Sequence, residues 1–99
     1  MEAVLKKEGG VLSVCPTGRL DTVNSAFLKE KIDAEGANGL DIEIDFTNVD
    51  YISSAGLRLL VALQKQTSAD GKKLVIRNPG KVVREVFSVS GFNKAFTIV

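Results

Sequence analysis

The stretch GLDIEIDF, residues 39–46, constrains the fold more tightly than any other part of the chain. Leu40, Ile42, Ile44 and Phe46 alternate with Asp41, Glu43 and Asp45, and a two-residue period separates apolar from polar side chains only in an extended strand. A strand covered on both sides would be more evenly apolar, so this one belongs to a sheet with a core on one face and water on the other. Its three carboxylates could also serve a metal or an acid–base reaction. That alternative lacks support elsewhere, because the chain has no histidine and metal sites usually draw ligands from several segments.

The remaining elements fall around this strand, expected over 40–46. AVLKKE and VLSVCPTG flank Gly9-Gly10, and two glycines supply the positive φ angles of a hairpin turn. From Asn24 to Ala34, the apolar Ala26, Phe27, Leu28 and Ile32 lie among charged residues, predicting an amphipathic helix that Asp21, Thr22 or Asn24 can cap. Leu57, Leu60, Val61 and Leu63 predict a second helix near 55–69, ended by Asp70-Gly71. A short strand near 73–77 follows, stopped by Pro79. Val82, Val83, Val86 and Phe87 form the stripe of a third helix near 80–89, and a last strand begins at Phe96. Alternating strands and helices predict an α/β fold. The expected architecture is a single domain over 1–99, a mixed sheet of about five strands with about three helices mainly on one face.

Several function classes are excluded early. Without histidine there is no Ser-His-Asp triad, Cys-His dyad or histidine-based metal site. Neither a GxxxxGK phosphate loop nor a GxGxxG turn is present. The net charge of +1, from 13 basic and 12 acidic residues spread along the chain, gives no nucleic-acid footprint. Cys15 is the only cysteine, expected as a small core residue on a strand and, weakly, a sign of a reducing compartment. No run of 18 apolar residues exists, so no membrane insertion is expected, and the default localisation is cytoplasmic. No obvious exposed apolar stripe is visible, which favours a monomer. The expectation is a binding protein rather than an enzyme, with no cofactor.

What remains is the junction YISSAGLRLL at 51–60. In α/β sheets the crevice beyond the carboxyl ends of parallel strands is the common functional position. Ser53 and Ser54 stand where a strand ends and a helix begins. The plain reading makes Ser54 the N-cap, accepting a hydrogen bond from the backbone N–H of Gly56 or Leu57. A compatible reading makes it a phosphate acceptor, since the positive end of a helix tolerates a dianion. Arg58, one turn on, is either a solvated helix residue or a contact for an acidic partner or a phosphate on Ser54. Gly56 costs helix stability relative to alanine, and close approach of a partner backbone would explain it.

With these segments in place the chain resembles the STAS domain of anti-sigma factor antagonists, bacterial proteins of partner-switching regulation. TGRLD at 17–21, IEIDFTNVDYI, SSAGLRLLVAL and NPGKVVREVFSVSGF carry the similarity over most of the chain, the junction being the most specific. The resemblance implies that the unphosphorylated protein binds an anti-sigma factor that is also a serine kinase. Phosphorylation at the junction ends the binding, and a PP2C-type serine phosphatase restores it. The family pattern is Asp-Ser-Ser/Thr-Gly-Leu. Aligned on Gly56-Leu57, the acceptor falls on Ser54, Ser53 replaces the Asp and Ala55 replaces the second hydroxyl residue, with Ser53 as the alternative acceptor. Asp21 matches the family's Gly-x-Leu-Asp and is expected to border the same corner unless it only caps the first helix. The expected partner surface is Asp21, Thr22, Asn24, Ser53, Ser54, Ala55, Gly56 and Arg58. Alternatives are a STAS scaffold, nucleotide-sensing module or lipid-transport subunit without the switch, and a small enzyme using Asp41, Glu43 and Asp45.

Overall fold

The computed structural model describes all 99 residues. Strands β1 (Glu2–Glu8) and β2 (Val11–Leu20) form an antiparallel hairpin. Gly9 and Gly10 make its turn at φ +58° and +79°, angles that side-chain-bearing residues seldom adopt. Helix α1 (Thr22–Ala34) leads to β3 (Asp41–Asp45) and β4 (Val49–Ile52). Helix α2 (Ser54–Ala69), β5 (Leu74–Arg77), α3 (Lys81–Val89), a 3-10 turn (Phe92–Lys94) and β6 (Thr97–Ile98) complete the chain. The fold is a mixed α/β sheet of six strands with three helices. None of the helices is long and apolar enough to cross a membrane.

The sheet runs β1-β2-β3-β5-β6, with every pairing after the hairpin parallel. The strand beyond the expected five is β4, which pairs with the far end of β2. Strand β2 serves two partners in turn. Val11 to Val14 lie against β3, and Gly18 to Leu20 lie against β4. The change falls at Gly18, where φ of +114° and a register shift bend the strand. With four residues, β4 is too short to display a period, and only the bent end of β2 makes it a strand.

The predicted alternation of β3 is realised: Ile42 and Ile44 are fully buried, and Asp41, Glu43 and Asp45 stay partly exposed on the other side. Leu12 and Val14 of β2 and Leu74 and Ile76 of β5 extend the buried face. Leu28 and Ile32 of α1, Leu60 and Leu63 of α2, and Val83 and Phe87 of α3 cover it. Phe87 is the aromatic centre, 6.2 Å from the Phe46 ring and 5.9 Å from Phe96, the latter edge-on.

Three expectations are corrected. Cys15 is not a core residue. It lies half-buried on the open face of β2, between the buried Val14 and Pro16, because its place in the alternation puts it out of phase with the core. The stripe of α3 narrows to Val83 and Phe87, with Val82 51% exposed. Val82, Val86 and Val89 instead line a shallow surface depression, so an apolar stripe is exposed after all, on the side of α3 turned away from the sheet. Replacing Phe87 by alanine is expected to cost about 3–5 kcal/mol in chemical denaturation. Val89→Ala, at a residue 89% exposed, is expected to stay within about 0.5 kcal/mol.

Candidate functional site

Strand β4 ends beside β2, and the carbonyl of Leu20 marks the meeting point. The Ser53 backbone N–H donates to it at 3.0 Å, and the Ser53 hydroxyl donates to the same oxygen at 3.0 Å. Held in an extended conformation (φ −92°, ψ 176°), Ser53 also accepts from the Gly56 N–H at 3.3 Å. The N-cap of α2 is therefore Ser53. This corrects the assignment of the cap to Ser54, and the reason is tertiary: the strand-to-strand bond at Leu20 keeps Ser53 out of the helix.

Ser54 becomes the first residue of α2, exposed, with a hydroxyl that makes no hydrogen bond within the chain. No acidic residue occupies the first turn of α2, so nothing on the helix offsets the positive end of its dipole there. The neighbouring helix starts in the same way. Asp21 caps α1, its Oδ1 accepting from the Asn24 N–H at 2.9 Å, and the Asn24 amide donates to the Arg19 carbonyl at 2.8 Å. Because Asp21 directly follows Leu20, both helix starts share one corner. Thr22 is exposed in the first turn of α1, and Ala55 is half-buried in that of α2.

Gly56 has an internal cause. A Cβ built there would lie 2.6 Å from Ile52 Cγ1 and 2.8 Å from the Leu20 carbonyl oxygen, inside contact distance of both. The residue is buried, and the backbone that comes close is the chain's own strand β2. The expectation of an approaching partner backbone is corrected accordingly, and Gly56 acts through the corner rather than at its surface.

Arg58 is exposed and belongs to none of the ion pairs, which are Lys6–Glu8, Lys29–Asp33 and Arg77–Glu43. It borders a mostly apolar groove of about 450 Å³ with Ser54, Leu57, Val61, Lys65 and Phe92. Leu57, Val61, Lys65 and Phe92 were not among the expected site residues. Lys65 is exposed on α2 and legible as such, Val61 was read as part of the helix's apolar stripe and is half-buried, and Phe92 arrives from the 3-10 turn, which only the fold brings near. Gln64 Nε2 donates to the Ala95 carbonyl at 2.7 Å, and Phe92 stacks on Phe96 at 5.4 Å; together they hold that turn against α2.

The carboxylates of β3 lie on the open sheet face and are engaged in structure. Asp41 accepts from the Lys73 N–H at 2.9 Å, and Glu43 pairs with Arg77 at 3.1 Å. Asp45 accepts from the Thr47 hydroxyl at 2.6 Å and from its N–H at 2.9 Å. These bonds, with help from Asn78 and Arg77, hold its carboxyl below the ordinary aspartate value against the opposing effect of burial. A carboxylate so stabilised stays ionised at neutral pH and is a poor proton donor.

Comparison with known proteins adds the family. The STAS domain model matches residues 2–99. BtrV of Bordetella bronchiseptica, provisionally named an anti-sigma factor antagonist, is 33% identical over 99 residues, which are 99% of this chain and 85% of BtrV. A crystal structure from Thermotoga maritima, also provisionally named an anti-sigma factor antagonist, superposes with a TM-score of 0.86 at 22% identity, covering 97% of this chain and 84% of that one. The Bacillus cell fate determinant SpoIIAA, an anti-sigma factor antagonist, shares the fold in its unphosphorylated form (TM-score 0.76, 19% identity, 99% and 87% of the chains). It does so in its phosphorylated form as well (TM-score 0.74, 20% identity, 99% and 91% of the chains).

The corner geometry separates the two serines experimentally. Ser53→Ala removes a cap and is expected to cost about 1 kcal/mol in denaturant unfolding, whereas Ser54→Ala stays within about 0.5 kcal/mol. Gly56→Ala gains helix propensity but meets Ile52 and Leu20, and the expected net loss is about 1–3 kcal/mol. A Gly56→Ala variant more stable than the parent would contradict the packing described.

Proposed function

The chain belongs to the STAS-domain family, and we propose that it is an anti-sigma factor antagonist worked by phosphorylation of Ser54. Unphosphorylated, it binds an anti-sigma factor that is also a serine kinase, through the corner formed by Asp21, Thr22, Asn24 and the segment from Ser53 to Arg58. The kinase transfers phosphate to Ser54 and the complex separates; a PP2C-type serine phosphatase restores the binding form. The protein works in this scheme in the cytoplasm, without a cofactor.

The observation that carries this reading is the division of labour between adjacent serines. Ser53 Oγ is occupied on both sides, donating to Leu20 and accepting from Gly56. Ser54 Oγ has no partner in the chain and faces solvent beside Arg58. A phosphoryl group on Ser54 adds roughly −1.5 to −2 charges at neutral pH, placed where a helix start accommodates them. The fold therefore tolerates the modification, while a partner seated flush on the corner loses its fit and faces a dianion. Where the family pattern has an Asp before the acceptor, this chain has Ser53, which caps α2 without a charge. The existence of SpoIIAA in phosphorylated and unphosphorylated forms and the provisional naming of BtrV support the same reading.

Ser54→Asp places a carboxylate at the first position of α2. Its affinity for the serine kinase of the same genome is expected to fall at least tenfold by calorimetry, while stability changes by no more than about 1 kcal/mol, the scale of a charge at a helix start. Undiminished affinity would contradict the switch.

A further inference from the structure

Strand β1 is an edge strand with one side of its backbone unused. It pairs only with β2, and no backbone hydrogen bond outside that ladder reaches residues 2–8. The register identifies the free groups. A two-residue turn makes Glu8 and Val11 the closing hydrogen-bonded pair, and bonded and non-bonded pairs alternate from there. Glu2, Val4, Lys6 and Glu8 therefore bond β2, while Ala3, Leu5 and Lys7 turn their N–H and C=O groups to the open edge. Pro16, which has no N–H to give, stands opposite Ala3, where the alternation asks for none.

The other edge of the sheet is blunt, since β6 has only two residues. β1 has seven, and Val4, 71% exposed, stands on its open face. Native edges of this length are generally covered or charged. Here the charges flanking Val4 on that face are of opposite sign, Glu2 on one side and Lys6 on the other. In an antiparallel pair with two-fold symmetry, Val4 placed opposite its own copy sets Glu2 opposite Lys6 of the second copy, twice. Ala3 and Leu5 then face each other with their free N–H and C=O groups aligned. Other registers fit less well. Centring on Leu5 sets Glu2 against Glu8, and centring on Lys6 sets lysine against lysine, both unfavourable. Centring on Ala3 sets Glu2 against Val4 and leaves Lys6 without an opposite residue.

We propose that β1 pairs antiparallel with β1 of a second copy of this chain, centred on Val4, forming one continuous sheet across a two-fold dimer. Val4 meets its copy as a non-hydrogen-bonded pair, the closer kind, and covers apolar surface that otherwise faces water. Lys7 falls opposite Met1, and Glu8 lies beyond the paired segment. Lys6 already pairs with Glu8 at 3.0 Å, but both side chains are exposed, so exchanging Glu8 for Glu2 of the second copy costs little. Both copies use the same strand and β6 is too short to continue the sheet, so the assembly closes at two chains. A pairing of one strand per copy is at the small end of specific interfaces, which makes the dimer concentration-dependent. Asp21, Ser53 and Ser54 lie outside β1, and the proposal is independent of the phosphorylation switch.

The test is sedimentation of the full chain over about a hundredfold range of concentration. The weight-average mass is expected to rise from one chain towards two, and the Ala3 and Leu5 amides to exchange more slowly as it does. Glu2→Lys and Lys6→Glu each set like charges opposite one another and are expected to weaken association about tenfold or more. Both residues are exposed, and the variants are expected to melt like the parent. Mixing the two variants brings opposite charges together again and is expected to restore the dimer. A single chain at every concentration would overturn the proposal. So would a dimer that both reversals leave intact; its loss with Val89→Asp would assign it to the exposed stripe of α3 instead.

Discussion

The carbonyl of Leu20 organises the end of the molecule where both helices begin. It receives the backbone and the hydroxyl of Ser53, and Gly56 passes so close to it that no side chain fits between. These contacts join the end of β2 to the start of α2 across 33 residues of sequence. Asp21, the next residue, caps α1, so a single peptide unit fixes where both helices begin. The bend at Gly18 comes first, since it swings the end of β2 from β3 onto β4. The exposed position of Ser54 is a consequence: with Ser53 held by the strand, the following residue opens the helix with its hydroxyl free.

Much of the fold was legible in the sequence because its signals are local. The alternation of GLDIEIDF reports a half-covered strand, the glycine pair reports a hairpin, and the leucines of α2 report a helix wherever the chain goes next. What was not legible depends on distant partners. Ser53 and Ser54 are equally good caps by residue type, and only Leu20 distinguishes them. Gly56 reads as a helix defect until Ile52 and the Leu20 carbonyl are placed beside it. The four residues of β4 become a strand only against a bent β2. Cys15 follows the phase of its strand, which eight residues of mixed polarity do not display.

The candidate site was legible in a similar sense. The junction and the corner residues were identified from type and position, and the resemblance supplied a role for them. The walls of the surrounding surface were not, because Phe92 and Ser25 come from the 3-10 turn and from α1. Along α2 from Ser54 to Lys65 the surface has one apolar groove on the Phe92 side and a shallower one on the α1 side. On the opposite face of the sheet the carboxylates of β3 are occupied by Lys73, Arg77 and Thr47. Ser54 and Arg58 on α2 have no such partners.

The proposed switch requires Ser53 to be committed to the fold and Ser54 to be free to react. Fragment mass spectrometry of the protein isolated from its native host tests it most directly, by locating any phosphate within the segment 51–60. A singly phosphorylated species with the group on Ser54 is expected. Phosphate on Ser53, or no phosphate under any growth condition, would contradict it.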